Sequence, residues 1–196
     1  MSIKKASLAD KEWIVAVISN AFQENRSVNW VVKNDTHTSS RIENLIRYAF
    51  DKSFRPGGAL VNSEKTGAVL FLDTGSKTNA FLDVANDIEL AFRSVGLSRV
   101  YKVLKRERYV KNLHPKEPHL YLWFIGVKKT EQGIGIGSSI LDEVCRIADK
   151  KRSAIYLETS EKNILPLYLK SKFTIHHTWS TEFLGFPLWF LKREPQ

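Results

Sequence analysis

The chain has 196 residues, 43% of them hydrophobic and 11% aromatic, enough to bury one sizeable core and too few for two domains of ordinary size, so a single domain over 1–196 is expected. That composition excludes an intrinsically disordered chain, and no apolar run approaches the roughly 20 residues of a bilayer-spanning helix. The net charge of +9 suits a nucleic acid, an anionic membrane surface or a polyanionic small molecule, while the single cysteine, Cys145, excludes an intramolecular disulfide and a multi-thiolate metal site.

The N-terminal MSIKKASLADKEW has no signal-peptide core, so a cytoplasmic location is expected. Ile3 to Ala6 reads as a short strand, and Ser7-Leu8-Ala9-Asp10 as a capping box for a helix running to about Phe22. On that helix Trp13, Ile14, Val17, Ile18, Ala21 and Phe22 share one face. A second helix is expected near Ser40 to Phe50, then a β-hairpin of Ala59 to Val61 and Ala68 to Leu72 that turns through Asn62 to Gly67. The 74–116 stretch carries a weaker pattern, with helical spacing at Ile88 to Val95 and at Ser98 to Tyr109. Its basic cluster, Arg99 to Lys111, alternates with apolar residues as a solvated helix face does. No helix-turn-helix, zinc-finger or aromatic RNA-binding motif accompanies the charge, so no nucleic-acid partner is expected.

Leu120 to Val127 is an apolar strand that empties into Gln132-Gly133-Ile134-Gly135-Ile136-Gly137, followed by an amphipathic helix of about Gly137 to Lys151. Three alternating glycines remove side chains where a phosphate approaches main-chain N–H groups, and the helix adds its unpaired donors and the positive end of its dipole. On that helix Cys145 lies among Ile140, Leu141, Val144, Ile147 and Ala148, the setting of a buried structural thiol. A strand at Ala154 to Glu158 and a helix near Leu165 to Ser171 follow, with Pro166 tolerable in the helix's first turn. Strands near Phe173 to Phe183 and Leu188 to Lys192 finish the chain. The fold class expected is mixed α/β: a central, mostly antiparallel sheet flanked by helices, with hairpins at both ends.

Q-x-x-G-x-G resembles the pyrophosphate loop of the GNAT (Gcn5-related N-acetyltransferase) superfamily. The resemblance runs from His119 to Ser180 and includes Leu157-Glu158-Thr159-Ser160, Asn163 and the Leu167 to Phe173 helix ending. Its P-H-x-Y-L, Q-G-x-G-x-G and L-E-T-S elements look most like the branch that contains puromycin N-acetyltransferase. One departure is Lys172, where the family usually has glycine. The resemblance implies a GNAT-like acyl-CoA N-acyltransferase fold with acetyl-CoA as co-substrate, bound by Ile125, Val127, Gln132, Gly133, Ile134, Gly135, Ile136, Gly137, Ser138 and Asn163. It implies that the Tyr168 hydroxyl lies near the coenzyme sulfur and protonates the departing thiolate. The 74–116 insert would then shape the acceptor pocket.

Each residue also has a plainer reading. Gly126 suits a small residue packed beneath a helix as well as a strand splaying from its neighbour. Asn163 suits a helix cap. Glu158 is either a satisfied edge carboxylate or a general base acting through water. His119, at a strand entry, reads as a surface residue and the weaker base, and Trp123 and Phe124 should point to alternate faces. His114 and His119 make no recognisable metal pair, His176 and His177 should face opposite sides of a strand, and no metal is expected. The competing enzyme reading is a dinucleotide-binding unit, since Glu158 lies 21 residues after Gly137. The G-x-G-x-G spacing opposes it, and the absence of a following G-K-[ST] excludes a Walker A loop.

These features lead to an N-acetyltransferase that moves the acetyl group of acetyl-CoA to a primary amine of a small molecule, or of a protein, by direct attack in a ternary complex. The alternative is a catalytically silent acyl-CoA-binding module or a nucleotide-binding enzyme. No membrane partner is expected, and the aromatic C-terminus, Trp179, Phe183, Phe186, Trp189 and Phe190, reads as either core or the seam of a homodimer.

Overall fold

A computed structural model describes residues 1–76 and 97–196, so the helical spacing at Ile88 to Val95 lies outside the described residues. The chain order is β1 (Ile3–Lys5), α1 (Lys11–Phe22), α2 (Arg26–Val31), α3 (Thr38–Phe54), β2 (Ala59–Asn62), β3 (Gly67–Asp73) and α4 (Leu97–Leu113). There follow β4 (Leu120–Val127), α5 (Ile136–Lys151), β5 (Ile155–Thr159), α6 (Leu165–Lys170), β6 (Thr174–Trp179) and β7 (Leu188–Arg193). Among the described residues the sheet has seven strands, in the order β1-β2-β3-β4-β5-β7-β6. β4 and β5 pair parallel and every other neighbouring pair is antiparallel, as required when α5 is the crossover between them. Among the described residues no helix is long and apolar enough to cross a membrane.

The first helix starts as its sequence dictates. Asp10 accepts from the main-chain N–H and the hydroxyl of Ser7, at 2.9 and 2.7 Å, and a 3-10 turn at Leu8–Asp10 leads into α1. Ile14, Val15 and Ile18 are buried with Ile42, Ile46 and Phe50 of α3 against one face of the sheet. The opposite face is covered by Ile136, Ile140, Leu141, Val144, Cys145 and Ala148 of α5, the 3.6-residue stripe read from the sequence. Burial pushes the Cys145 thiol up to about 11, so it is inert packing.

Several expectations are corrected. Asn25, whose side chain accepts from Val28 N–H at 2.9 Å, caps the short helix α2, which the sequence reading missed. α3 is longer at both ends than expected, and the strand expected to reach Phe183 stops at Trp179. Trp179, Leu188 and Phe190 form a third cluster against Val110 of α4, joined by Phe183 and Phe186, while Trp189 packs on the α5 side. Trp179 and Phe190 of the aromatic C-terminus are therefore core, with Phe183, Phe186 and Trp189 half-buried at its margin.

A bulge in β4 corrects another expectation. Leu70 pairs with Phe124 but Phe71 with Leu122, so Trp123 is the extra residue. Trp123 and Phe124 consequently share the α1–α3 face, 5.6 Å apart and stacked, rather than alternating. A second register shift, between Ile175 and His177, sets both the His176 and His177 rings against Phe190 instead of on opposite sides.

Two further positions need small residues. A Cβ on Gly126 would lie 3.1 Å from Ile18 Cα of α1, and one on Gly67 would lie 2.6 Å from Ile140 Cδ1 of α5. The ends of β3 and β4 are thus gripped between the two helical layers.

Candidate active site

The parallel pair β4–β5 is joined at Leu120–Ile155 and Tyr121–Tyr156 and then diverges, the splaying expected around Gly126. Lys128 N–H donates to Thr66 O at 2.8 Å, toward β3. Since main-chain groups alternate between strand edges, Val127 directs its N–H and C=O the other way, into the gap. The Gln132 side chain donates to that Val127 carbonyl at 3.2 Å, bracing the loop against the strand. Ile125, two residues earlier, faces the same gap.

The loop closes the wide end of this gap. Gly133 and Gly135 have φ of +83° and +91°, and Gly135 is the N-cap of α5. A Cβ at either glycine would meet nothing within 4 Å. Their backbone angles favour glycine, and the space above them is open to a ligand. The N–H groups of Ile136, Gly137 and Ser138 belong to the first helical turn and have no intrahelical acceptor. This cradle fits a pyrophosphate. Gly137 is less demanding, since its Cβ would make ordinary contact with Val127 Cγ2 at 3.8 Å. The Ile136 side chain is core and that of Ile134 is 69% exposed at the loop tip, so the cradle uses the main chain of both.

From the loop a cleft of about 1360 Å³ runs past Ile125, Val127 and Tyr168 to Tyr121 and Trp123. It exceeds the range of about 300–1,000 Å³ common for single small-molecule sites and has room for a coenzyme and an acceptor together. Tyr168 is buried, and desolvation pushes its hydroxyl well above the usual tyrosine value. Its helix ends in a Schellman motif: Phe173 N–H donates to Tyr168 O and Lys172 N–H to Leu169 O, both at 3.1 Å, with Lys172 at φ +65°. The position where the resemblance expects glycine is therefore left-handed in this chain. Asn163 lines the cleft from a 3-10 turn, Lys162–Ile164; because Ile164 is the N-cap of α6, the cap reading of Asn163 is corrected.

Glu158 also lines the cleft but sits on the interior strand β5, between β4 and β7, so the edge reading is corrected. Its Oε2 accepts from Tyr121 Oη at 2.8 Å, and its Oε1 lies 2.5 Å from His114 Nε2. Burial alone would raise its pKa, but the His114 ring, the Tyr121 hydroxyl and the Arg106 charge together hold it below the usual glutamate range. Burial and the Glu158 charge raise the Tyr121 hydroxyl in turn. His119 is buried, not at the surface, and desolvation is the main cause that lowers its pKa. Among the described residues no group of three or more His, Cys, Asp or Glu is arranged to hold a metal ion.

Sequence reasoning missed Arg106 and Ser27. The solvated-face reading of Arg99 to Lys111 holds for Tyr101, Lys102, Lys105 and Arg108, but Arg106 is buried, donates to Ser27 Oγ at 2.8 Å and pairs with Glu107. Only their helical register could have hinted at it, because Arg106 lies between the buried Val103 and Val110.

Residues 93–173 match the model of the Acetyltransferase (GNAT) family. Over all of this chain and 96% of the other, the fold is similar to a solved structure from Corynebacterium glutamicum described as histone acetyltransferase HPA2 and related acetyltransferase, at 20% identity and a TM-score of 0.74. It is similar to the polyamine N acetyltransferase of Drosophila melanogaster over 98% of this chain and 99% of that one, at 8% identity and a TM-score of 0.71. Arylalkylamine N-acetyltransferase 2 of Aedes aegypti matches at 10% identity and a TM-score of 0.66, covering 100% of this chain and 99% of that one. β4, the glycine loop, α5, β5 and α6 all lie inside the segment that matches the GNAT family model, and the whole arrangement shares its fold with these solved acetyltransferases.

Proposed function

We propose that the chain is a single-domain, cytoplasmic enzyme that transfers the acetyl group of acetyl-CoA to the primary amine of a small molecule. The observation that carries this reading is the splayed β4–β5 gap, which has an open glycine cradle at its wide end and the Tyr168 side chain on its wall. Gly133 to Ser138 would hold the pyrophosphate through main-chain N–H groups, with Asn163 across the gap and Ile125 and Val127 alongside the pantetheine arm. The coenzyme, when bound, supplies an activated acetyl thioester. The Val127 N–H is the donor offered to the carbonyl oxygen, and Tyr168 holds the proton that the departing sulfur needs. A tyrosine raised by burial keeps that proton until a strongly basic thiolate forms.

The similarity to the branch containing puromycin N-acetyltransferase, and to solved enzymes named for polyamine and arylalkylamine substrates, supports a small amine as acceptor rather than a protein amine. Calorimetric titration with acetyl-CoA, with NADH and a Gly135→Glu variant as controls, tests the coenzyme site. Saturable binding that the variant loses is expected, and preference for NADH would overturn the reading. Thiol release with a panel of primary amines then separates the enzyme from a silent acyl-CoA-binding module.

A further inference from the structure

The hydrogen-bond directions around Glu158 fix where protons sit. His119 Nδ1 lies 2.9 Å from the Glu117 carbonyl oxygen, which only accepts, so Nδ1 carries a hydrogen. The Thr74 hydroxyl beside it accepts from the His119 main-chain N–H at 2.8 Å and donates to the His119 carbonyl at 3.0 Å. Burial favours the neutral His119 ring, which leaves a lone pair on Nε2. That lone pair faces His114 Nδ1 at 3.3 Å, so His114 Nδ1 carries a hydrogen too. The other His114 nitrogen, Nε2, is 2.5 Å from Glu158 Oε1. A bare lone pair would be repelled by a carboxylate at that distance, so a second proton occupies the contact. The His114–Glu158 contact thus holds a proton between two groups nearly inaccessible to water, with side chains only 3% and 5% exposed.

We propose that Glu158, His114 and His119 form a proton conduit that carries the acceptor's ammonium proton from the cleft to the surface at Thr74 and Glu117. Glu158 lines the cleft, and Glu117 is exposed at the far end of the chain of groups. The substrate's ammonium passes one proton to Glu158 and keeps the electron pair that forms the new amide bond. The His114 Nδ1 proton moves to His119 Nε2, and the His119 Nδ1 proton leaves to water by way of the Thr74 hydroxyl, 3.3 Å away on a half-exposed residue. One proton enters and one departs. Rotation of the two rings and transfer of the Glu158 proton to His114 restore the starting state. Because Tyr121 and His114 both stabilise the carboxylate, Glu158 is a poor resting place for a proton, and a path onward is what makes it useful. Among the described residues, the groups that face this chain include Arg106 and Glu107 of α4, Asp73 of β3, Tyr121 of β4, Tyr156 of β5 and His176 of β6. His114 and His119 are positioning residues that touch substrate only through Glu158.

The conduit rests on the proposed acetyl transfer, yet its proton positions are measurable without substrate. Nitrogen-15 NMR of the histidine rings in the full chain near neutral pH should show His114 protonated on both nitrogens and His119 neutral with its hydrogen on Nδ1. A neutral His114, or His119 protonated on Nε2 alone, overturns the conduit. His114→Gln keeps a donor for Glu158 but cannot pass a proton. Its kcat/KM for acetylation should fall about a hundredfold at neutral pH, and the deficit should shrink about tenfold per pH unit as more acceptor arrives already deprotonated. Acetyl-CoA affinity should stay at the wild-type value, with both activities read below the variant's own thermal midpoint, which falls because Glu158 loses a buried charged partner. A pH-independent loss, or full activity at neutral pH, overturns the conduit, whereas wild-type protein that fails to bind acetyl-CoA overturns the function it serves.

Discussion

Replacing Lys172 with glycine should stabilise the protein. Lys172 has φ +65° and Arg152, at the end of α5, has φ +50°. Both are exposed, and both occupy the left-handed position of a Schellman motif, since Ser153 N–H donates to Ala148 O and Arg152 N–H to Asp149 O, each at 3.0 Å. An L-residue there costs about 1–2 kcal/mol, against about 0.5–1 kcal/mol of extra chain entropy that glycine loses on folding. The one contact Lys172 gives up is an exposed hydrogen bond from Nζ to Gln196 Oε1 at 2.7 Å. The net gain is about 0.5–1 kcal/mol per site, or roughly 1–4 °C in thermal midpoint for a chain of this size. The two sites meet only at Asp149, whose carbonyl takes the Arg152 N–H and whose carboxylate feels the Lys172 charge, so Lys172→Gly and Arg152→Gly should add to within about 0.5 kcal/mol. Differential scanning calorimetry of both single variants and the double variant measures this. A lower midpoint in either single variant would refute the argument from backbone strain.

Tyr168→Phe should lower kcat by about a hundredfold or more with little change in acetyl-CoA affinity; unchanged turnover would remove the hydroxyl from the reaction. Asp149→Ala strips Arg193, whose side chain is 6% exposed, of its bidentate partner at 2.7 and 2.9 Å. The cost should be about 2–3 kcal/mol by urea unfolding, below the figure for a fully buried pair because Asp149 is partly exposed; a loss below about 0.5 kcal/mol would contradict it. Asp10 is held well below the usual carboxylate value of 3.8 by hydrogen bonds from Lys65 and Ser7. A depressed folded-state value means stability that is present above that range and lost as pH falls through it. Asp10→Asn should therefore flatten the acid limb of a stability–pH curve, and an unaltered limb would assign the acid sensitivity elsewhere.

The strand, glycine loop and helix were legible because each is a local pattern: a continuous apolar run, three glycines at alternate positions, and an apolar stripe of period 3.6. The capping box was legible for the same reason. α2 was not, because six residues hold too few turns for periodicity, and its cap is one asparagine among polar neighbours. Faces beyond Trp123 were misread because a bulge inserts one residue without any change in the kind of residue used. The His114–Glu158–Tyr121 cluster was invisible, although Glu158 itself was singled out, because its members come from the end of α4, β5 and β4 and meet only in the folded sheet. His119, read as a strand-entry surface residue, is buried for the same tertiary reason.

The bulge at Trp123 divides β4 into two segments that obey opposite parity. Leu120 and Leu122, at even numbers, share the α5-side core with Ile125 at an odd one, so the strand behaves like a text whose reading frame changes midway. Deleting Trp123 would make the ladder regular and leave every pairing with β3 unchanged, since Phe71 would still face Leu122 and Leu70 would still face Phe124. The coenzyme edge would keep Ile125 on the α5 side and Gly126 beneath Ile18. Loss of this one residue should therefore be tolerated better than loss of a neighbour that pairs, because Trp123 alone stands outside the β3–β4 ladder.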